Sequence, residues 1–530
     1  MSSNQPFRLA TGGRIDRTRP VRFSFDGKSY QGFAGDTLAS ALLANGVHMV
    51  ARSFKYHRPR GIFSAGAEEP SALVQIGRDA ARTDPNMRAS EVEIYDGLEA
   101  FPQNCWPSLN FDAGAINDAF SRFMPSGFYY KTFMGPPGNW TMFETFIRRA
   151  AGLGRAPQAP DPDRYESTNR HCDVLVVGSG PAGLMAALAA ARSGARVILT
   201  EETPELGGAL LSTAPDTVSI GGKTPSDWIA EIEEELANHP EVMILKRAAP
   251  VGYYGDNLIV FNQQLQDHLP LSERDPLQSR QRLWRIRAAQ TVLATGAIER
   301  PLIFDGNDRP GIMLASAVST YIHRYGVLPG RKAVLFANNN AAWQTAFDLH
   351  KAGCGVAAIV DVRSEIEDDL LRRASERGIA VFANSVVDGT LGRKRIVRAN
   401  IRSLKNVSQL ADNGIEMVCD LLAVSGGLSP NVALFAQSRG KLRHDAEIAA
   451  FRPGLSWQRE RSAGLCNGTL GLSERIAEGL RCGAEAASTA GFAAAPTEPP
   501  SVEWSTAPAA YNIRARWSLP SHKPKHKTRA

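Results

Sequence analysis

The residues best placed to do chemistry in this chain of 530 are Gly178-Ser179-Gly180-Pro181-Ala182-Gly183. They follow an apolar run, Val174 to Val177, and precede an Ala-rich helical run leading to a second strand, ARVILT, that ends at Glu201. A strand, a G-x-G-x-x-G turn, a helix and an acid at the next strand end together make a dinucleotide site. Gly178 serves the tight turn, Gly180 lets backbone approach a pyrophosphate, and Gly183 lets helix and strand pack closely. The helix start, with Ala182 in its first turn, offers free N–H groups and positive dipole to phosphates. Glu201, followed by Glu202, can accept hydrogen bonds from a ribose diol. A carboxylate there disfavours a 2′-phosphate, so the ligand is NAD or FAD rather than NADP.

Later segments supply the surroundings of such a site. ELGGALL (Gly207, Gly208, Ala209), QTVLATGAIERP (Thr295, Gly296), CDLLAVSGGLSPN and AGLCNGTLGLSERIAEGLRCG resemble the two-dinucleotide-domain flavoproteins that include glutathione reductase. The resemblance implies that the chain leaves its first nucleotide domain at Thr295-Gly296. It also places the last Gly-rich turn beside the cofactor, which makes Asn467, Gly468 and Thr469 candidates. The sequence argues against disulfide-reductase chemistry, because no cysteine pair follows ELGGALL and such enzymes need paired thiols near the flavin. GRKAVLFANNNAAWQTAFDL opens a second nucleotide unit, but Asn338-Asn339-Asn340 stand where glycines should. Asn339 would put a side chain where a pyrophosphate needs bare backbone, so this second site is expected to be dead.

A third chemical pattern has lost its chemistry. In IFSAGAEEPSA the spacing C-x4-C-x2-C of a plant-type [2Fe–2S] loop falls on Ser64, Glu69 and Ala72, and the fourth ligand would fall near Ser90. None of these supplies a thiolate. The surrounding elements are those of a ferredoxin-like β-grasp domain. VRFSFDGKSYQGF alternates and turns at Asp26-Gly27, GDTLASALLANG reads as a helix with Asp36 as N-cap and Gly46 as C-cap, and ALVQIG follows as a strand. Electron transfer through a cluster is chemically excluded, and packing or docking is what the domain can retain.

Composition is that of a globular protein of several domains, 43% hydrophobic and 22% charged with a formal charge of +6. The six cysteines form no C-x-x-C pair, which argues against zinc, cluster or disulfide frameworks and fits a reducing, cytoplasmic setting. No secretory signal or membrane-spanning run is visible. Lys523, Lys525, Lys527 and Arg529 form a basic tail without a nucleic-acid recognition motif. Residues 101 to 150 hold twelve Phe, Tyr or Trp, among them Trp106, Phe128, Tyr129, Tyr130, Phe133 and Trp140. Such a segment either wraps over neighbouring domains or presents aromatic anchors to a partner protein. No catalytic acid–base or nucleophilic constellation and no metal site is found; His57, beside Arg58 and Arg60, reads as a loop residue or anion contact.

The fold class expected is therefore α/β, a glutathione-reductase-like two-dinucleotide-domain fold preceded by a degenerate ferredoxin-like domain. The expected divisions are 15–100 for the ferredoxin-like unit, 101–170 for the aromatic bridge, 171–305 with 400–495 for the intact nucleotide domain, 306–399 for the degenerate one, and 496–530 for the tail. SFKYHRPRGI, GFYYKTFM, FIRRAAGLGRA, PDPDRYE and CDVLVVGSGPAGLMAA closely resemble the α subunit of heterotetrameric sarcosine oxidases. That resemblance implies a complex that oxidatively demethylates sarcosine to glycine with hydrogen peroxide and passes one carbon to folate. Substrate oxidation would occur at FAD in a β subunit, with covalent FMN at the α–β contact and further smaller subunits present. The α chain would carry a non-catalytic NAD. The family's folate-binding aminomethyltransferase-like half should begin about where WSLPSHKPKHKTRA ends, so one-carbon transfer is not assigned to this chain. The alternative is a subunit that binds FAD itself, as in opine or amino-acid dehydrogenases; a scaffold without nucleotide is a third reading.

Overall fold

The computed structural model describes residues 5–124, 140–151, 154, 156–406, 408–493 and 497–519. Near the N-terminus, Asp16–Phe25 and Lys28–Ala34 pair as a hairpin, with Phe23 opposite Tyr30 and Phe25 opposite Lys28. Its turn, Asp26-Gly27, has φ of 52° and 74°, the mirror-image geometry whose twist matches the strands. Leu98–Pro102 adds in parallel to Asp16–Phe25, and Leu73–Ile76 and Asp84–Arg88 complete a five-stranded sheet. Helix Leu38–Ala44 is buried throughout. Its cap is Thr37 rather than Asp36, in a reciprocal box with Ser40. Asp36 is buried instead in an ion pair with Arg8 at 2.6 Å.

The first nucleotide unit is built on Tyr165–Val177, whose last four residues are fully shielded. It lies between Val197–Thr200 and Gln281–Leu293, all three parallel, and Leu258–Gln264 and Ala248–Tyr254 continue the sheet antiparallel. Helix Pro181–Arg192 starts at Gly180 with proline in its first turn, where the missing N–H costs nothing. It packs on helix Leu472–Thr489 at backbone contact. A Cβ on Gly479 or Gly483 would lie 2.2 Å from the carbonyl oxygen of Ala182 or Ala186.

In the second nucleotide unit, Ile312–Leu314, Leu421–Ser425, Lys332–Ala337, Gly355–Asp361 and Ala380–Phe382 form a parallel sheet in that order. Leu421–Ser425 is an interior strand of this sheet, and Arg398–Asn406 pairs with Ser385–Leu391 and Ile415–Val418. Residues 398–425, divided at 400 by the sequence reading, thus sit with the second unit. The chain returns to the first only after Leu428–Pro430 pairs with Ala297–Glu299. One apolar core runs from the ferredoxin-like unit into the second nucleotide unit, joining Ile62 and Leu98 to Leu314, Tyr321 and Phe336.

In the bridge, Trp106, Phe111, Phe120 and Phe123 are exposed, and helix Trp140–Ala151 follows. Phe128, Tyr129, Tyr130, Phe133 and the basic tail fall outside the described residues. No described helix is long and apolar enough to cross a membrane.

Candidate dinucleotide site

Gly178 to Ala182, Glu201, Glu202, Gly208, Ala209, Thr295 and Gly296 line one cleft. The three turn glycines do separate jobs there. Gly178 has φ of 96°, and a Cβ on it would meet the carbonyl oxygen of Ala294 at 2.4 Å. A Cβ on Gly183 would fall 1.9 Å from the carbonyl oxygen of Gly178, which is the close helix–strand contact. A Cβ on Gly180 would meet nothing within 4 Å, because that position faces the open cleft. Gly208 closes on the turn from the side: its Cβ would lie 2.9 Å from the Cα of Gly180.

The acids divide differently from expectation. Glu201 is buried and already engaged: Oε2 accepts from Ser179 N at 3.1 Å and from Ser179 Oγ at 2.6 Å, and Oε1 accepts from Thr203 N at 2.9 Å. It ties the turn to the second strand, and only its remaining lone pairs face a ligand. Glu202 lines the cleft. Desolvation by the surrounding protein, with the carboxylates of Glu201, Glu91 and Glu68, pushes its carboxyl up to about 7. Hydrogen-bond donors of a ribose would relieve that crowding. A 2′-phosphate would worsen it.

Thr295 Oγ1 donates to the Asn431 carbonyl at 2.8 Å and Asn431 N donates to the Gly296 carbonyl at 3.0 Å, so the two crossings between nucleotide units are bonded to each other. Asn467, Gly468 and Thr469 are not among the lining residues; Ala463, Gly464, Leu465 and Arg475 are. Asn467 Nδ2 donates instead to Glu478 Oε1 at 2.7 Å, and Glu478 Oε2 accepts from Gly464 N at 2.7 Å. Glu478 thereby holds the last turn, and Asn467 supports it.

Arg475 was missed because an arginine in a polar helix carries no motif. Among the described residues its guanidinium makes one hydrogen bond, to the Gly471 carbonyl at 3.3 Å. Burial, opposed by Glu474, lowers its pKa to about 10. A cation in this position, beside the start of helix Pro181–Arg192, suits a pyrophosphate. The amide-bearing turn, open Gly180 face, acids and Arg475 fit a dinucleotide.

The second nucleotide turn is filled by the chain itself. Asn338, Asn339 and Asn340 are all buried. Asn338 Nδ2 donates to the Arg514 carbonyl at 3.0 Å, Asn340 Nδ2 to the Ala510 carbonyl at 2.8 Å, and Asn339 bridges Ile513 through backbone. Asp361, at the strand end where an acid would meet a ribose, is paired with Arg363 at 2.6 Å.

A [2Fe–2S] cluster does not fit the ferredoxin-like loop. Ser64, Glu69, Ala72 and Ser90 are all buried there, and none is a thiolate. The space is taken by the Glu69 carboxylate, and among the described residues no His, Cys, Asp and Glu group could hold a metal ion. His57 Nδ1 lies 2.8 Å from Asp112 Oδ2, fastening the bridge to the loop, away from the cleft.

Residues 18–105 match a family model described as a 2Fe-2S iron-sulfur cluster binding domain, and residues 173–250 one described as an FAD dependent oxidoreductase. The chain is 46% identical over 476 residues to the sarcosine oxidase α subunit of Rhizobium meliloti (strain 1021), covering 89% of this chain and 46% of that protein. Identity to the corresponding protein of Corynebacterium sp. (strain U-96) is 35% over 500 residues, 92% of this chain and 46% of that one. An opine oxidase component of Agrobacterium tumefaciens (strain Ach5) is 29% identical over 213 residues, 38% of this chain and 40% of that one. In fold the chain is similar to L-proline dehydrogenase from P. horikoshii, with a TM-score of 0.59 at 20% identity, covering 93% of this chain and 77% of that one. The chain spans about half the length of the curated relatives it matches. Along nearly all of its own length the chain is thus similar to one half of the sarcosine oxidase α subunits, with the ferredoxin-like and nucleotide units in place.

Proposed function

We propose that this chain is the α-type component of a multi-subunit sarcosine oxidase, binding NAD in the first nucleotide unit and supporting a flavin-bearing β subunit. The observation that carries this reading is 46% identity, across 89% of the chain, to the α component of a sarcosine oxidase. The residues of this chain bind and orient. Amides of the 178–183 turn and Arg475 receive the pyrophosphate, and Glu202 with Glu201 receives a ribose. NAD is a hydride carrier in general, but no side chain of the cleft is placed here as a catalytic acid or base. Oxidative demethylation of sarcosine to glycine, with peroxide formed, is assigned to the FAD and FMN of the β subunit.

The test is peroxide formation from sarcosine and oxygen by the isolated chain supplied with NAD and FAD. No turnover is expected alone, and turnover is expected on co-expression with the β subunit. Rates of roughly 1–10³ per second from the isolated chain would place the chemistry in it and overturn this division of labour.

A second reading puts FAD in the same cleft, making this a flavin-binding subunit of the amino-acid or opine dehydrogenase type. The match of residues 173–250 to an FAD dependent oxidoreductase model favours it. Visible absorbance separates the two, since a flavin is yellow and NAD colourless.

A further inference from the structure

The emptied cluster loop sits against the dinucleotide cleft: Ala65, Gly66 and Glu68 line it together with the Gly178–Ala182 turn. One side chain gathers the loop from within. The Glu69 carboxylate accepts from four backbone amides, Oε2 from Phe63 N and Ser64 N, both at 2.7 Å, and Oε1 from Ser71 N at 2.6 Å and Ala72 N at 2.9 Å. These amides converge as they would on a cluster, whose sulfurs accept hydrogen bonds from surrounding donors. Glu69 is 2% exposed, and burial raises its pKa against the lowering effect of the four amides.

The loop is fastened on its other sides as well. Ser90 Oγ donates to the Gly66 carbonyl at 2.8 Å. Tyr321 Oη donates to the Ser64 carbonyl at 2.9 Å, and Leu314 N donates to the Phe63 carbonyl at 2.9 Å. Tyr321 belongs to helix Ala315–His323, which gives Ser316, Ala317 and Thr320 to the same cleft.

We propose that Glu69 replaces the iron–sulfur cluster as the acceptor of the loop amides, and that it acts as a positioning residue holding Ala65, Gly66 and Glu68 as a wall of the dinucleotide pocket. This rests on the reading of that cleft as a dinucleotide site. The loop survives without its metal because the nucleotide pocket uses its shape. A side chain that accepts four amides cannot be removed without leaving buried donors unpaired, which loosens the wall from the inside.

The experiment measures NAD and FAD affinity by calorimetry for the full chain and for Glu69→Gln, Glu68→Ala and the double variant, at a temperature where circular dichroism shows each folded. Glu69→Gln keeps the shape but turns an amide donor toward backbone donors. A loss of affinity of about tenfold or more is expected. Glu68→Ala should weaken binding less, and the double variant should fall short of the product of the two, since both act through one wall. A purely structural Glu69 would lower the melting temperature and leave affinity unchanged, which overturns the proposal. If Glu69→Gln does not fold, Ser90→Ala, which removes only the tie to Gly66, must itself weaken binding by about threefold; unchanged affinity there also overturns it. A full chain that binds neither nucleotide would refute the cleft assignment instead.

Discussion

Gly180 and Gly183 lie three residues apart in one turn, yet substitution at each should fail in a different way. At Gly183 an added methyl falls 1.9 Å from the carbonyl oxygen of Gly178. That atom is backbone, held by the strand on one side and helix Pro181–Arg192 on the other, so the clash can be relieved only by moving helix from sheet. Overpacking a tight contact costs roughly 1–3 kcal/mol. For a unit of this size that lowers the melting temperature by roughly 2–4 °C per kcal/mol. At Gly180 the added atom meets nothing within 4 Å. Gly180→Val should cost about 1 kcal/mol or less, from the weaker N-cap. Its branched side chain would nevertheless occupy the space where phosphate oxygens must approach the amides. The assay pairs thermal melting without ligand with calorimetric titration of NAD and of FAD. Gly183→Ala should melt several degrees early. Gly180→Val should melt almost normally and show no saturable binding. Unchanged affinity in Gly180→Val would refute the cradle, and a neutral Gly183→Ala would refute the close contact behind it.

Arg475→Ala should weaken dinucleotide binding by about tenfold and reduce its salt dependence, because it removes the cation beside the helix start; titrations at two ionic strengths check both. Glu202 binds protons more readily folded than unfolded, its pKa rising from 4.5 to about 7. The folded state therefore holds the extra proton between those values, and Glu202 costs stability progressively as pH rises through that window. Melting temperatures of the native chain and Glu202→Gln at pH 5 and pH 8 should diverge, with the variant gaining at the higher pH. The purified chain should contain neither iron nor acid-labile sulfide, given Ser64, Glu69, Ala72 and Ser90 at the ligand positions; stoichiometric iron with a [2Fe–2S] spectrum would sink that claim.

The nucleotide turn was legible in the sequence because its demands are local. Strand, three glycines, helix and acid lie within one β–α–β unit, and each residue type answers a backbone requirement at fixed spacing. The hairpin at Asp26-Gly27 was legible for the same reason, and so was the loss of cluster ligands. Its neighbour Asp36 was misread, because Asp36 and Thr37 both have capping chemistry, and Asp36 is taken up by the distant Arg8 as well as by Phe33 N and Ser40 Oγ. Arg475, the Ala65–Glu68 wall and the filling of the second turn by residues 510–514 were out of reach of any spacing rule. The second turn is met by a segment some 170 residues further along the chain. Arg475 reaches the cleft because Gly479 and Gly483 bring two helices, far apart in the sequence, to backbone contact. Residue type and spacing determined which backbone could receive a nucleotide. Which side chains surround it, and what became of an abandoned metal loop, were decided by packing between distant segments, where burial assigns roles that local pattern does not encode.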